Sequence, residues 1–300
     1  MSKVERLLKS INAVIKAKEE DEEITDVVPD FPGLDKIPKY IEDYEKKVAK
    51  LFRNQRKHFL NGVKDYIQKD ITIEGLLNFL SQDLFASDEF LADMEETTKD
   101  FLFLTITELT SEIMDAIDKD VAFSILSTRT TDWIDSWSHD LGEIMKLNTH
   151  QSLEDALKKV IEEGGSIADA ELAIKDLPQF DRLRARTTAI TEILTASSRS
   201  QWEAYMQSPA VTKKSWKHSG GKKNNPRKEH EDLDGTEIGV DEKFDVNGNE
   251  ADYPRDPSLP ASERVNCHCA LGPVVDQDII GLSKEEKEVL RQQVLDEMNT

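Results

Sequence analysis

Between Ile37 and Ile67 the apolar residues fall at Ile37, Ile41, Tyr44, Val48, Leu51, Phe52, Phe59, Val63 and Ile67. Steps of three and four dominate, which is the spacing of one apolar stripe along a helix. Pro38 fits because it lies in the first turn, where a missing N–H costs little. At 1.5 Å per residue such a rod is about 45 Å long, and one stripe of that length needs a partner helix. Residues 87–123 supply it, with Phe90, Met94, Phe101, Leu102, Leu109, Ile113, Ile117 and Val121 at similar spacing and Ser87 or Asp88 as the expected cap. A shorter helix is expected over NTHQSLEDALKKVIEEGG, capped by Thr149 or Ser152, striped by Leu153, Leu157 and Ile161, and stopped by Gly164. Ser166 starts another, with Ile167, Ala170 and Ile174 inward, ending before Pro178. A further helix spans about 179–206, with Leu183, Ile190, Leu194, Trp202 and Tyr205 available for a core. The charged faces of these helices read as solvated.

From 208 to 273 the chain becomes rich in Gly and Pro and poor in apolar residues. VTKKSWKHS alternates enough for a strand, and KFDVNGNEADYP reads as a hairpin around Asn247-Gly248. GLSKEEKEVLRQQVLDEM closes the chain with a helix capped by Ser283 and boxed by Glu286. The expected fold is mainly α: a long-helix N-terminal body with a small C-terminal α+β, loop-rich module. Four regions follow: 1–127, helical; 128–207, a helical linker; 208–275, the α+β module; and 276–300, the last helix. No internal repeat is present.

The charge changes the picture. Against 39 Lys and Arg stand 60 Asp and Glu, a net charge of -21, which opposes whole-surface attraction to nucleic acid or anionic membrane but leaves room for a local basic site. No apolar run approaches the roughly 20 residues of a membrane span. The first 23 residues are amphipathic and lack the apolar core of a signal peptide. Two cysteines in 300 residues are no disulfide framework. These features predict a soluble protein of a reducing cytosol with no membrane partner.

Both cysteines lie in ERVNCHCALGP, with His268 between Cys267 and Cys269. In an extended segment alternate residues share a face, so the two sulfurs converge while His268 points away. The thiolates could bind zinc with an imidazole from His218, His230 or His268, although the spacing is C-x-C and no second pair exists. Three other readings stand beside that one: two small thiols buried at the close of a module, a Cys–His nucleophile, and a disulfide whose small ring would be strained. Lys213, Lys214, Lys217, Lys222, Lys223, Arg227 and Lys228 form a run without an acid, with Gly220 and Gly221 permitting close approach and Trp216 a stacking face. That run could bind nucleic acid or phosphate, or pair with the carboxylates that follow it. DVNGNEAD departs from a calcium loop, which wants Gly at its sixth position and Glu at its twelfth, and reads as a turn. HEDLDG sets His230 near Asp232 and Asp234, a group for acid–base work or metal, with Asp234-Gly235 also a turn signal.

Taken together, Trp216, His218, SGG, Pro226-Arg227, His230, LDG, Phe244, Gly248, Tyr253-Pro254, Asp256-Pro257, Pro260-Ala261, Glu263 and NCHC resemble the C-terminal module of the phage Mu F-like head morphogenesis family. RARTTAITEILTASSRSQWEAY resembles that family's preceding helix, with Ile190 where an arginine often precedes the Thr-Glu pair. The likeness is specific over 184–269 and looser over 128–177. It implies a minor head protein of the virion, made in the host cytoplasm, whose partners are the portal and capsid or scaffold proteins; the basic run itself could in addition touch packaged DNA. No cofactor is implied, zinc being the one metal that the residues themselves admit, and no catalytic residue is carried over. Two competing classes are a metal-dependent enzyme acting on nucleic acid, centred on His230, Asp234, Cys267 and Cys269, and a DNA-binding accessory factor.

Overall fold

A computed structural model describes residues 24–67, 72–220 and 226–298. The first apolar stripe is buried as its spacing requires: Ile37, Ile41, Tyr44, Val48, Phe52, Phe59 and Val63 all face the interior. After a short helix α1 (Ile24–Val27) they lie on α2 (Ile37–Ile67). The partner helix is α4 (Phe90–Ile117), reached through α3 (Ile73–Phe79) and a π turn at Leu80–Leu84. Asp88 takes the start of α4: its carboxylate accepts the Phe90 amide at 3.1 Å, while the Ser87 hydroxyl donates backward to the Asp83 carbonyl.

One expected boundary is absent. A single 35-residue helix, α5 (Thr128–Glu162), runs through the place where a new helix was expected at Thr149 or Ser152. The Thr149 hydroxyl donates to Met145 O one turn back and accepts from buried Arg184, so it serves as an interior helix residue rather than a cap. The cap is Ser127, whose side chain accepts the Thr130 amide. Gly164 (φ 68°) ends the helix in the left-handed conformation that favours glycine. α6 (Ile167–Lys175) opens with a capping box between Ser166 and Asp169.

α7 (Arg182–Gln207) is the centre of the molecule. Of its 26 residues 21 are buried, and it packs against α2, α4 and the C-terminal sheet. A run of small side chains, Ala196-Ser197-Ser198, lets neighbours approach from several sides at once. Leu183, expected inward, is 42% exposed. The interior position beside it goes to Arg184, whose guanidinium stacks over Phe52 and donates to Thr149, Gln179 and Met145; burial without a carboxylate partner pushes its pKa down to about 9.

Beyond α7 the chain forms a three-stranded antiparallel sheet in the order β2-β1-β5, from β1 (Val211–Lys217), β2 (Glu237–Gly239) and β5 (Ala270–Val275). β3 (Phe244–Val246) and β4 (Asn249–Ala251) form the expected hairpin. Asn247 (φ 54°) and Gly248 (φ 77°) both take the left-handed conformation that its two-residue turn demands. Short helices α8 (Lys228–Asp232), α9 (Ala261–Arg264) and α10 (Gln277–Ile280) link these pieces, and α11 (Lys284–Met298) follows with its Ser283–Glu286 box in place. α11 returns to the body, where Lys287 meets Asp118 and Asp120, each at 2.9 Å. The architecture is mainly α with a small α+β module. One continuous core joins Tyr44 and Ile106 of the body to Trp216, Phe244, Tyr253 and Leu271 of the module. The change at 207–208 is thus a change of secondary structure without a break in packing.

Lys214 shows how tight that join is. It is fully buried, with its ammonium over the rings of Trp202 and Phe244, and Nζ has no hydrogen-bond partner among the described residues. Burial, opposed by Asp252, pushes its pKa down to about 8. The unfolded chain therefore holds this proton more strongly than the folded one between about pH 8 and the ordinary lysine value, and stability contributed here rises with pH across that window. Lys214→Met should raise stability at pH 7 by about 1–2 kcal/mol, after allowance for the lost ring contacts. The difference between the two chains should shrink by pH 10, as read by urea unfolding at both pH values.

Candidate metal centre

The module closes on three side chains from two segments. α8 presents His230, and the extended stretch between α9 and β5 presents Cys267 and Cys269. The alternation expected for C-x-C holds: both thiols are 2% exposed, whereas His268 between them is only half-buried. Arg227, at the start of α8, donates to Val265 O at 2.7 Å and ties the two segments together. The Sγ atoms of Cys267 and Cys269 lie 3.5 and 3.7 Å from Nδ1 of His230, and the three donor atoms fall within 4.8 Å of one another. On the far side of the ring, Nε2 meets Glu263 Oε2 at 3.1 Å. A carboxylate there favours the proton on Nε2 and leaves Nδ1 with its lone pair toward the sulfurs. Trp216 stands edge-on to the imidazole with ring centres 5.4 Å apart.

Arg255 braces the thiol segment from behind. Fully buried and itself left-handed (φ 68°), it donates to the carbonyls of Cys267 and Cys269, both at 2.7 Å, to Leu194 O at 2.8 Å and to Ser198 Oγ at 2.5 Å. The Arg264 side chain in turn donates to Arg255 O at 3.1 Å and lies 3.6 Å from Glu192, which also accepts from Trp137. The two thiols share a proton unequally. The hydrogen bond with Cys269, helped by the Arg255 guanidinium, holds Cys267 well below the usual thiol range, and the same bond together with burial pushes Cys269 up. Burial lowers His268 to about 4, so it is neutral near pH 7.

The other residues singled out from the sequence lie elsewhere. His218 is outside the cluster: its amide donates to Asp234 Oδ1 at 2.8 Å, and its ring accepts from Gly220. Asp234 thus holds the end of β1, and Asp232 pairs with Lys228 at 2.6 Å. In the basic run, Lys213 and Lys217 are exposed on β1, Lys214 is interior, and Arg227 and Lys228 are engaged as described. Lys222 and Lys223 lie outside the described residues. Sequence reasoning gave Glu263 no role and passed over Arg255, because nothing local marks residues whose partners lie between 12 and 61 positions away.

A mainly α protein in which an α+β module shares the core of a central helix and encloses a buried His/Cys/Cys cluster defines the class. The phage Mu protein F like family matches residues 151–272, which include α7 and all three cluster residues. Uncharacterized protein YqbB of Bacillus subtilis (strain 168) is 55% identical over 304 residues, covering 99% of this chain and 100% of that one. NAD(+)--arginine ADP-ribosyltransferase EFV of Enterococcus faecalis (strain ATCC 700802 / V583) is 33% identical over 126 residues, 41% of this chain and 24% of that protein. No solved structure matches. The chain belongs to the phage Mu protein F like family and is a phage head-related protein. Among the described residues no helix is long and apolar enough to cross a membrane.

Proposed function

We propose that the chain is a minor head protein of a tailed phage that joins the prohead in few copies by docking on the portal, with capsid or scaffold proteins beside it. The observation that carries this function is the family match over 151–272, which falls on α7 and the module packed against it. Long amphipathic helices suit docking on other protein surfaces, and Lys213 and Lys217, exposed on β1, are available to packaged DNA. A metal-dependent enzyme acting on nucleic acid, centred on His230, Asp234 and the thiols, is not favoured, since Asp234 is committed to the His218 amide and lies outside the His230, Cys267 and Cys269 cluster. Transferase activity is not carried over from the enterococcal relative, three quarters of which lies outside the match.

Proheads assembled with and without the portal test this function. The chain should co-sediment with portal-containing proheads and be missing from portal-free ones. Equal incorporation into both would contradict portal docking.

A further inference from the structure

His230, Cys267 and Cys269 have the separation of ligands around one ion. In a tetrahedral zinc site, with Zn–S near 2.3 Å and Zn–N near 2.0 Å, a sulfur and a nitrogen ligand are about 3.6 Å apart. The two sulfur–nitrogen distances here are 3.5 and 3.7 Å. We propose that the two thiolates and Nδ1 of His230 bind a zinc ion that staples α8 to the segment leading into β5.

Three features beyond the spacing support the site. Glu263 on Nε2 is the outer carboxylate that orients a metal-bound imidazole and raises its basicity. Arg255 grips the carbonyls of both cysteines, which fixes the pitch of the C-x-C segment and holds both sulfurs on one face. The donor set of two sulfurs and one nitrogen suits zinc and is wrong for calcium or magnesium, which take oxygen. Burial argues against the other uses of these residues. A thiol nucleophile needs access for its substrate, and both sulfurs and the imidazole are 2% exposed. Three protein ligands leave one tetrahedral position for a ligand from solvent. The zinc site rests on this geometry alone and is independent of portal docking.

The test uses the full chain, expressed with zinc, purified under reducing conditions without chelator, and analysed for metal by mass spectrometry. About one zinc per chain is expected. It should be lost in the Cys267→Ser/Cys269→Ser double variant and kept in His218→Ala, because His218 lies outside the cluster. Glu263→Gln should weaken zinc affinity by about 10-fold or more. Should the cysteine variant fail to fold, the wild-type chain decides the matter. Stripped of metal and titrated with cobalt(II), it should develop a thiolate-to-cobalt absorption band while the emission of Trp216, beside the imidazole, changes. A folded chain that holds no zinc as purified, or takes up cobalt without a thiolate band, overturns the proposal.

Discussion

Replacing Arg255 with methionine should destabilise the protein by about 4 kcal/mol or more, a large share of the roughly 5–15 kcal/mol that holds a typical protein folded. The side chain donates to three backbone carbonyls and one hydroxyl, all in the interior. Methionine fills much of the same volume but gives no hydrogen bond, and each buried acceptor left without a partner costs about 1–3 kcal/mol. Lysine keeps the charge without the planar fork and cannot reach both cysteine carbonyls and Leu194 together, so Arg255→Lys should recover only part of the loss. Arg255→Gly separates backbone from side chain. Glycine relieves the left-handed strain, about 1–2 kcal/mol at most, and should still leave the protein far less stable than the wild type. Urea unfolding curves for the three variants check the order; a methionine variant within about 1 kcal/mol of wild type would contradict it.

The second large effect is expected at Glu203. This buried carboxylate on α7 accepts the Ser127 amide at 2.6 Å, the Ser127 hydroxyl at 2.8 Å, the Thr130 hydroxyl at 2.5 Å and the Gln207 amide at 2.8 Å. It therefore fastens the first turn of α5 to the central helix and complements the positive end of that helix. Glu203→Ala leaves four buried donors facing a void and should lower stability by about 3 kcal/mol or more. Glu203→Gln keeps one oxygen but turns an NH2 toward donors, so it should lose about 2 kcal/mol despite its matching shape. The measurement is again urea unfolding. The relevant contrast is that glutamine, the closest isostere, fails to restore the wild-type midpoint.

What could be read from the sequence divides along a physical line. Features set by neighbours in the chain were legible: the stripe of α2, the Asn247-Gly248 turn, the helix start at Ser166, and the box at Ser283–Glu286. So was the convergence of Cys267, Cys269 and His230, because C-x-C alternation places two sulfurs on one face and His230 was among the imidazoles that could join them. Features set by distant partners were not legible. Thr149 carries a cap's chemistry, yet Arg184 from α7 holds it inside α5. Leu183 and Arg184 exchange the roles that hydrophobicity alone would assign, because Phe52 and three acceptors await the guanidinium. Lys214 stands in a basic run that looks wholly solvated, but the strand it belongs to turns it under Trp202 and Phe244. Glu263 and Arg255 acquire their roles only once the segment after α9 has folded back upon α8 and α7.

Module and central helix are held to be one structural unit, with Arg255 as the bridge from the C-x-C segment to Leu194 and Ser198. Hydrogen exchange on wild-type and Arg255→Met protein, followed by mass spectrometry, examines that bridge from both ends. Amides of 267–275 and amides of α7 around Leu194 should lose protection together in the variant. Loss confined to 267–275, with α7 as protected as before, would mean that the module opens on its own and that the shared core does not bind the two.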